Sequence, residues 1–145
     1  MKLAVIRVKG GFKIKQKIDD TLRFLRLNKK NHLVLIEDTP LNIGMIKKVQ
    51  DFITWGEINE ETLKALILKR GRLPGNKRVE LKEKELSELV KGLLSGKKKL
   101  DQIKPVFRLS PPKKGWDKGT IKLRYPRGAI GPRGSEINVL IKKML

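Results

Sequence analysis

The chain has no cysteine and only one histidine. Without cysteine there is no disulfide framework, no thiolate metal site and no thiol nucleophile. With a lone histidine, His32, most zinc sites and most acid–base chemistry are excluded as well. There is no run of about eighteen apolar residues, and the apolar start is interrupted too soon, by Arg7 and Lys9, to serve as a signal peptide. A cytosolic location is therefore expected. Acid is also scarce, with 15 Asp and Glu against 35 Lys and Arg. The acidic pairs Asp19/Asp20 and Glu60/Glu61 suit helix N-termini, and because adjacent helical residues point apart they do not form a catalytic dyad. No GxxxxGK[ST] loop occurs. These absences lead to the expectation of no enzyme activity, no cofactor, no metal and no small-molecule substrate.

What remains is positive charge, a formal net of +20 in 145 residues. A surplus of this size self-repels unless an anion neutralises it. Its distribution is uneven: residues 1–36 carry ten basic and two acidic side chains, residues 104–145 eleven and two, and the middle fourteen and eleven. A solubility device would be spread along the chain, whereas this surplus sits at both ends. Nucleic acid is the expected partner, and a membrane is not.

Hydrophobic patterning gives an order of elements. Lys2–Val8 is a short β-branched run before Gly10 and Gly11, expected as a mostly buried strand. A helix to about Leu27 keeps Ile18, Leu22 and Leu25 on one face and Arg23, Arg26 and Lys30 on another. His32–Ile36 is a second strand. Thr39-Pro40 starts a second helix, in which Ile46 and Val49 are apolar, and Ile53–Ile58 is a third strand. Asn59 caps a third helix that ends before Gly71, residues 72–78 read as a loop, and a further helix spans about Lys82–Leu94. A strand at Val106–Leu109 follows, and a final helix is expected after a Ser135 cap. The expected regions are a β-α-β-α-β core at 1–59, a helical region at 60–104, and a basic C-terminal segment at 105–145 whose last helix docks back on the core.

Three segments are candidates for phosphate contact. The loop with Lys9, Lys13, Lys15 and Lys17 contains two glycines, so its backbone can approach a phosphodiester chain closely. The helix end and turn with Arg23, Arg26, Lys29, Lys30, Asn31 and His32 combine fixed charges with hydrogen-bonding side chains. The stretch 111–133 interleaves Lys113, Lys114, Arg127, Arg133 and other basic residues with Trp116 and Tyr125. It reads as too polar to fold alone and suited to ordering against RNA, its aromatics stacking on unpaired bases. Lys47 and Lys48, late in the second helix, join the candidate list. A DNA-compacting protein would need the same charge and is the alternative.

The turn LRLNKKNH from Leu25 to His32, together with Asp38-Thr39-Pro40, Gly44-Met45-Ile46 and Val49, closely resembles the signature of the universal large-subunit ribosomal protein family designated L-thirty. The phrases ITWGEIN, VFRLSPP and GPRGSEINVLIKKML extend the resemblance to the archaeal type. It implies an α+β, ferredoxin-like fold: a three-stranded antiparallel sheet with two helices on one face. It also implies a structural role in the large subunit, bound to ribosomal RNA beside other ribosomal proteins.

Overall fold

Strand β1 (Lys2–Arg7) is apolar throughout its middle because both of its faces are covered. Leu3 and Val5 point to one side of the sheet, Ala4 and Ile6 to the other, and all four are buried. This is the architecture of a computed structural model that describes residues 2–9, 15–73, 77–78, 82–95, 106–113, 115, 123–125 and 127–145, with the backbone alone for Lys2, Leu73, Lys77 and Arg78. Strands β2 (His32–Glu37) and β3 (Ile53–Glu57) flank β1 antiparallel, with Val5 opposite Val34 on one side and Trp55 on the other. The implied three-stranded core is therefore present.

The full sheet has five strands, in the order β6-β2-β1-β3-β7, where three were expected. Strand β6 (Val106–Arg108) extends β2 antiparallel, and β7 (Gly131–Pro132) lies parallel to β3. Both added strands come from the C-terminal segment. Its charge suggests an unfolded tract, yet Pro112, Gly128–Gly131 and Arg133 are buried. Main-chain pairing to sheet edges needs no apolar side chain, which is why composition hides it.

Helices α1 (Gln16–Phe24) and α2 (Pro40–Lys48) cover the face that carries Leu3, Val5, Val34 and Ile53. Thr39 caps α2, its hydroxyl accepting from the Asn42 amide at 3.3 Å, with Pro40 in the first turn as anticipated. The opposite face is covered by α3 (Glu60–Arg70), α4 (Glu83–Ser95) and α5 (Ile137–Met144). Asn59 caps α3 through the Thr62 amide at 2.8 Å. Between α3 and α4 the expected loop contains a hairpin of β4 (Arg72–Leu73) and β5 (Lys77–Arg78).

The start of α5 differs from expectation. Ser135 does not cap it: residues Gly134–Glu136 form a 3₁₀ turn leading into the helix, without a side-chain cap. Asn138 anchors the helix instead. Its Oδ1 accepts from the Asn59 amide at 2.9 Å, and its Nδ2 donates to the carbonyls of Glu57 (3.1 Å) and Ser135 (2.9 Å). At Gly56 the β3 backbone lies directly against Gly134 and Ile137, a close approach that leaves no room for a side chain.

Candidate nucleic-acid interface

The basic turn after α1 is built by the end of that helix. Leu27 N–H donates to Leu22 O at 2.8 Å and Arg26 N–H to Arg23 O at 2.9 Å, which is a Schellman closure. Leu22 and Leu27 are both fully buried, the apolar contact that accompanies this motif. The closure requires a left-handed residue, and Arg26 supplies it at φ 65° where glycine is the usual occupant. Asn31 is also left-handed, at φ 64°. Between these two points the chain presents Lys29 and Lys30, both exposed.

Arg7 holds the turn from beneath. Its guanidinium is buried and donates to Leu27 O at 2.8 Å and Lys9 O at 2.9 Å, while its own carbonyl accepts from Asn31 N–H at 2.8 Å. Burial works against its charge and lowers its pKa, an effect that Asp19 partly offsets. Arg7 thus serves to position the turn rather than to contact a ligand.

Main-chain hydrogen bonds continue from this turn across one whole end of the molecule. Phe52 O accepts from Val8 and Lys9, Leu109 N–H donates to Asn31 O, and Ser110 N–H donates to Met144 O. The Ser110 hydroxyl accepts from Arg70 at 2.6 Å, and Lys113 N–H donates to Lys143 O. The C-terminal ends of α1, α2, α3 and α5 consequently arrive together. Their last turns carry Arg23, Lys47, Lys48, Lys69, Arg70, Lys142 and Lys143, where the negative ends of the helix dipoles favour cations. Glu37, Glu57, Glu60 and Glu136 lie towards the opposite end, where β2 and β3 finish and α3 and α5 start, and Lys142 reaches across to Glu61 at 3.5 Å.

The expected contact residues fall out as follows. Lys15, Lys17, Arg23, Arg26, Lys29, Lys30, Lys47, Lys48, Lys113 and Arg127 are exposed, and Lys9, Asn31 and His32 are half-buried. Lys13, Lys114 and Trp116 lie outside the described residues. Arg23 has an acidic neighbour: it pairs with Asp19 at 3.2 Å, a solvent-facing i,i+4 bridge of about 0.3–0.5 kcal/mol that a phosphate can displace.

Arg133 is a correction. Its side chain is buried, donating from Nε to the Thr54 hydroxyl at 2.8 Å and from its terminal nitrogen to Ala129 O at 2.8 Å. The guanidinium also lies 4.9 Å from the centre of the Tyr125 ring. A fork engaged in this way fastens Ala129 and Arg133 to β3, so neither Arg133 nor that face of Tyr125 is presented outward.

One exposed arginine was missed, Arg108, which lies opposite His32 in the β6–β2 pairing; Arg124, one of the basic residues of the 111–133 stretch, is exposed and stands 3.7 Å from Asp51. Arg108 reaches this end only through a strand pairing distant in sequence, which no local pattern signals. At His32, burial first, and then Arg108, Lys29 and Arg7, hold the pKa below the ordinary value, so the imidazole is neutral at neutral pH. Its Nδ1 is buried without a hydrogen-bond partner among the described residues. Among the described residues no group of three or more His, Asp or Glu is placed to hold a metal, and no helix is long and apolar enough to cross a membrane.

The conformation of Arg26 yields a test that separates fold from binding. Arg26→Gly relieves the left-handed strain and should stabilise the protein by roughly 0.5–1 kcal/mol in thermal or denaturant unfolding. The same change should weaken RNA binding about tenfold, the size of one charge-assisted phosphate contact. Parallel measurement of unfolding and RNA affinity checks both signs.

Residues 3–53 match the family model described as Ribosomal protein L30p/L7e. Along its full length the chain is similar to archaeal proteins named Large ribosomal subunit protein uL30. It is 48% identical to that of Methanococcus maripaludis strain S2, with 100% of both chains covered. It is 46% identical to that of Archaeoglobus fulgidus, over 97% of this chain and 98% of the relative. For Nanoarchaeum equitans the identity is 44%, over 98% and 97%.

Proposed function

The chain belongs to the ribosomal protein L30p/L7e family, a structural and non-enzymatic one, and from that premise we propose that it holds folded ribosomal RNA within the large subunit by contacts to phosphates. The observation that carries this reading is the convergence of cationic side chains on one hydrogen-bonded end of the molecule. Lys9, Arg26, Lys29 and Lys30 form its centre beside the neutral, hydrogen-bonding Asn31 and His32, with Lys47, Lys48, Arg108 and Lys113 around it. Lys15, Lys17, Arg23 and Arg127 extend the basic surface, and Lys13 and Lys114 belong to the same segments.

The mechanism is electrostatic. RNA helices brought close together repel one another, and fixed Arg and Lys charges neutralise the facing phosphates. The rigid sheet decides where those charges sit, so shape more than base sequence governs selection. Residues 1–59 act as the RNA-binding core, 60–104 as a helical region, and 105–145 as the segment that docks back on the core. Neighbouring ribosomal proteins are the other partners, and the protein works in the cytoplasm as part of the ribosome.

Sucrose-gradient fractionation of a lysate at moderate salt tests the reading. The protein should sediment with the large subunit and intact ribosomes and stay there through a high-salt wash. A position with DNA, or at the top of the gradient, would contradict it.

A further inference from the structure

Between α1 and α2 lies a shallow groove with a volume of about 620 Å³ that the electrostatic reading does not use. Phe24 and Leu41 stand at its sides, each 75% exposed, and Met45 contributes to its lining. Two large apolar side chains left in water this close to a cationic surface are unexplained by folding, since the core beneath α1 and α2 is complete without them.

Gly44 also lines the groove, and its presence there has no conformational reason. It sits inside α2, its φ is not positive, and a Cβ placed on it would meet no atom within 4 Å. Glycine inside a helix is unfavourable relative to alanine. Its effect is to leave the groove open beside Phe24 and Leu41.

The rim identifies the occupant. Lys17 and Lys48 border the groove, with Asp20 the one acid among the lining residues. Arg23 and Lys47 are the exposed chain neighbours of Phe24 and Lys48. Phe24 is followed within two residues by Arg26, so the groove continues the basic turn. A basic protein segment would be repelled here. A flat, apolar group carried on an anionic backbone fits both the exposed ring and the lysines.

We propose that this groove receives one unstacked nucleobase of the large-subunit RNA, stacked on Phe24 in the space left by Gly44, with the flanking phosphates on Lys17 and Lys48. The proposal rests on the RNA-binding reading above and adds to it a site for a single-stranded or bulged nucleotide. Stacking does not release counterions, whereas phosphate neutralisation does. The two contributions therefore separate in a salt series.

The test is equilibrium binding of the full chain to deproteinised large-subunit RNA across a range of salt concentrations. Phe24→Ala should weaken binding roughly tenfold with the slope of log affinity against log salt unchanged, and Phe24→Trp should restore it. Gly44→Leu, which fills the groove, should weaken binding likewise while leaving the melting temperature at or above that of the parent. Lys17→Ala and Lys48→Ala should each lower the slope by about one. If the parent binds and neither Phe24→Ala nor Gly44→Leu weakens it, the nucleobase is wrong and the groove is left for a protein side chain. If the parent itself does not bind RNA, the reading on which the proposal stands fails.

Discussion

Arg26→Glu or Lys30→Glu will weaken binding to large-subunit RNA at least tenfold, whereas Glu85→Lys will change it by no more than about twofold. A charge-assisted hydrogen bond contributes roughly 1.5–3 kcal/mol, and reversal adds repulsion to its loss. Arg26 and Lys30 lie on a turn whose ends are fixed by the Schellman closure and by Asn31, so neither can swing away from a facing phosphate without remodelling that turn. Glu85 belongs to the exposed face of α4, where Glu83, Glu85 and Glu88 are mixed with Lys84 and Lys91. For the unmodified chain, with about eight phosphates neutralised, affinity should fall by roughly three to four decades between about 50 and 200 mM salt. Filter binding across that range measures both the affinities and the slope. Equal effects from all three reversals would remove the interface assigned here.

Gly56→Ala will destabilise the protein by roughly 1–3 kcal/mol through overpacking, lowering the melting temperature by several degrees. The added methyl would lie inside the envelope of the Gly134 carbonyl and within 2.8 Å of Ile137 Cβ, both close to backbone that cannot rotate aside. The least costly response is for the 3₁₀ turn and α5 to lift from β3, which would break the Asn138 bonds to Glu57 and Asn59. Hydrogen exchange should therefore accelerate first in residues 131–144, with β1 and β2 still protected. Uniform acceleration would show instead that α5 unfolds only together with the sheet.

Much of this was legible in the sequence, and the exceptions share a physical cause. Strands β1 to β3 announce themselves because a sheet covered on both faces demands unbroken apolar runs. Thr39-Pro40 and Asn59 announce their helices because a cap is a local hydrogen bond between near neighbours. Arg26 and Lys30 were found as part of a local basic cluster, although the helix expected to reach Leu27 ends at Phe24 and a left-handed turn, not a helical face, presents them. By contrast, β7, the pairing of the expected strand β6 with β2, and the roles of Arg108 and Arg133 depend on partners about 75 or more residues away in sequence. Arg133 looks like every other arginine of its segment until Thr54 and Ala129 are placed around it. Arg7 was counted only as part of the charge surplus, although it anchors the turn that presents Lys29 and Lys30. Ser135 has the composition of a cap, but the 3₁₀ turn takes its place because Gly56 brings the chain so near to β3.

The separation of acids from bases along the molecule has a kinetic consequence. With Glu37, Glu57, Glu60 and Glu136 towards one end and the lysine- and arginine-bearing turn at the other, the free protein should carry an electric dipole along its length as well as a net positive charge. In the field of a polyanion such a body experiences torque before it touches anything, so it should arrive already rotated, with the proposed binding end first. Fewer encounters are then lost to wrong-way collisions, and what remains of the search is a spin about the long axis of the dipole.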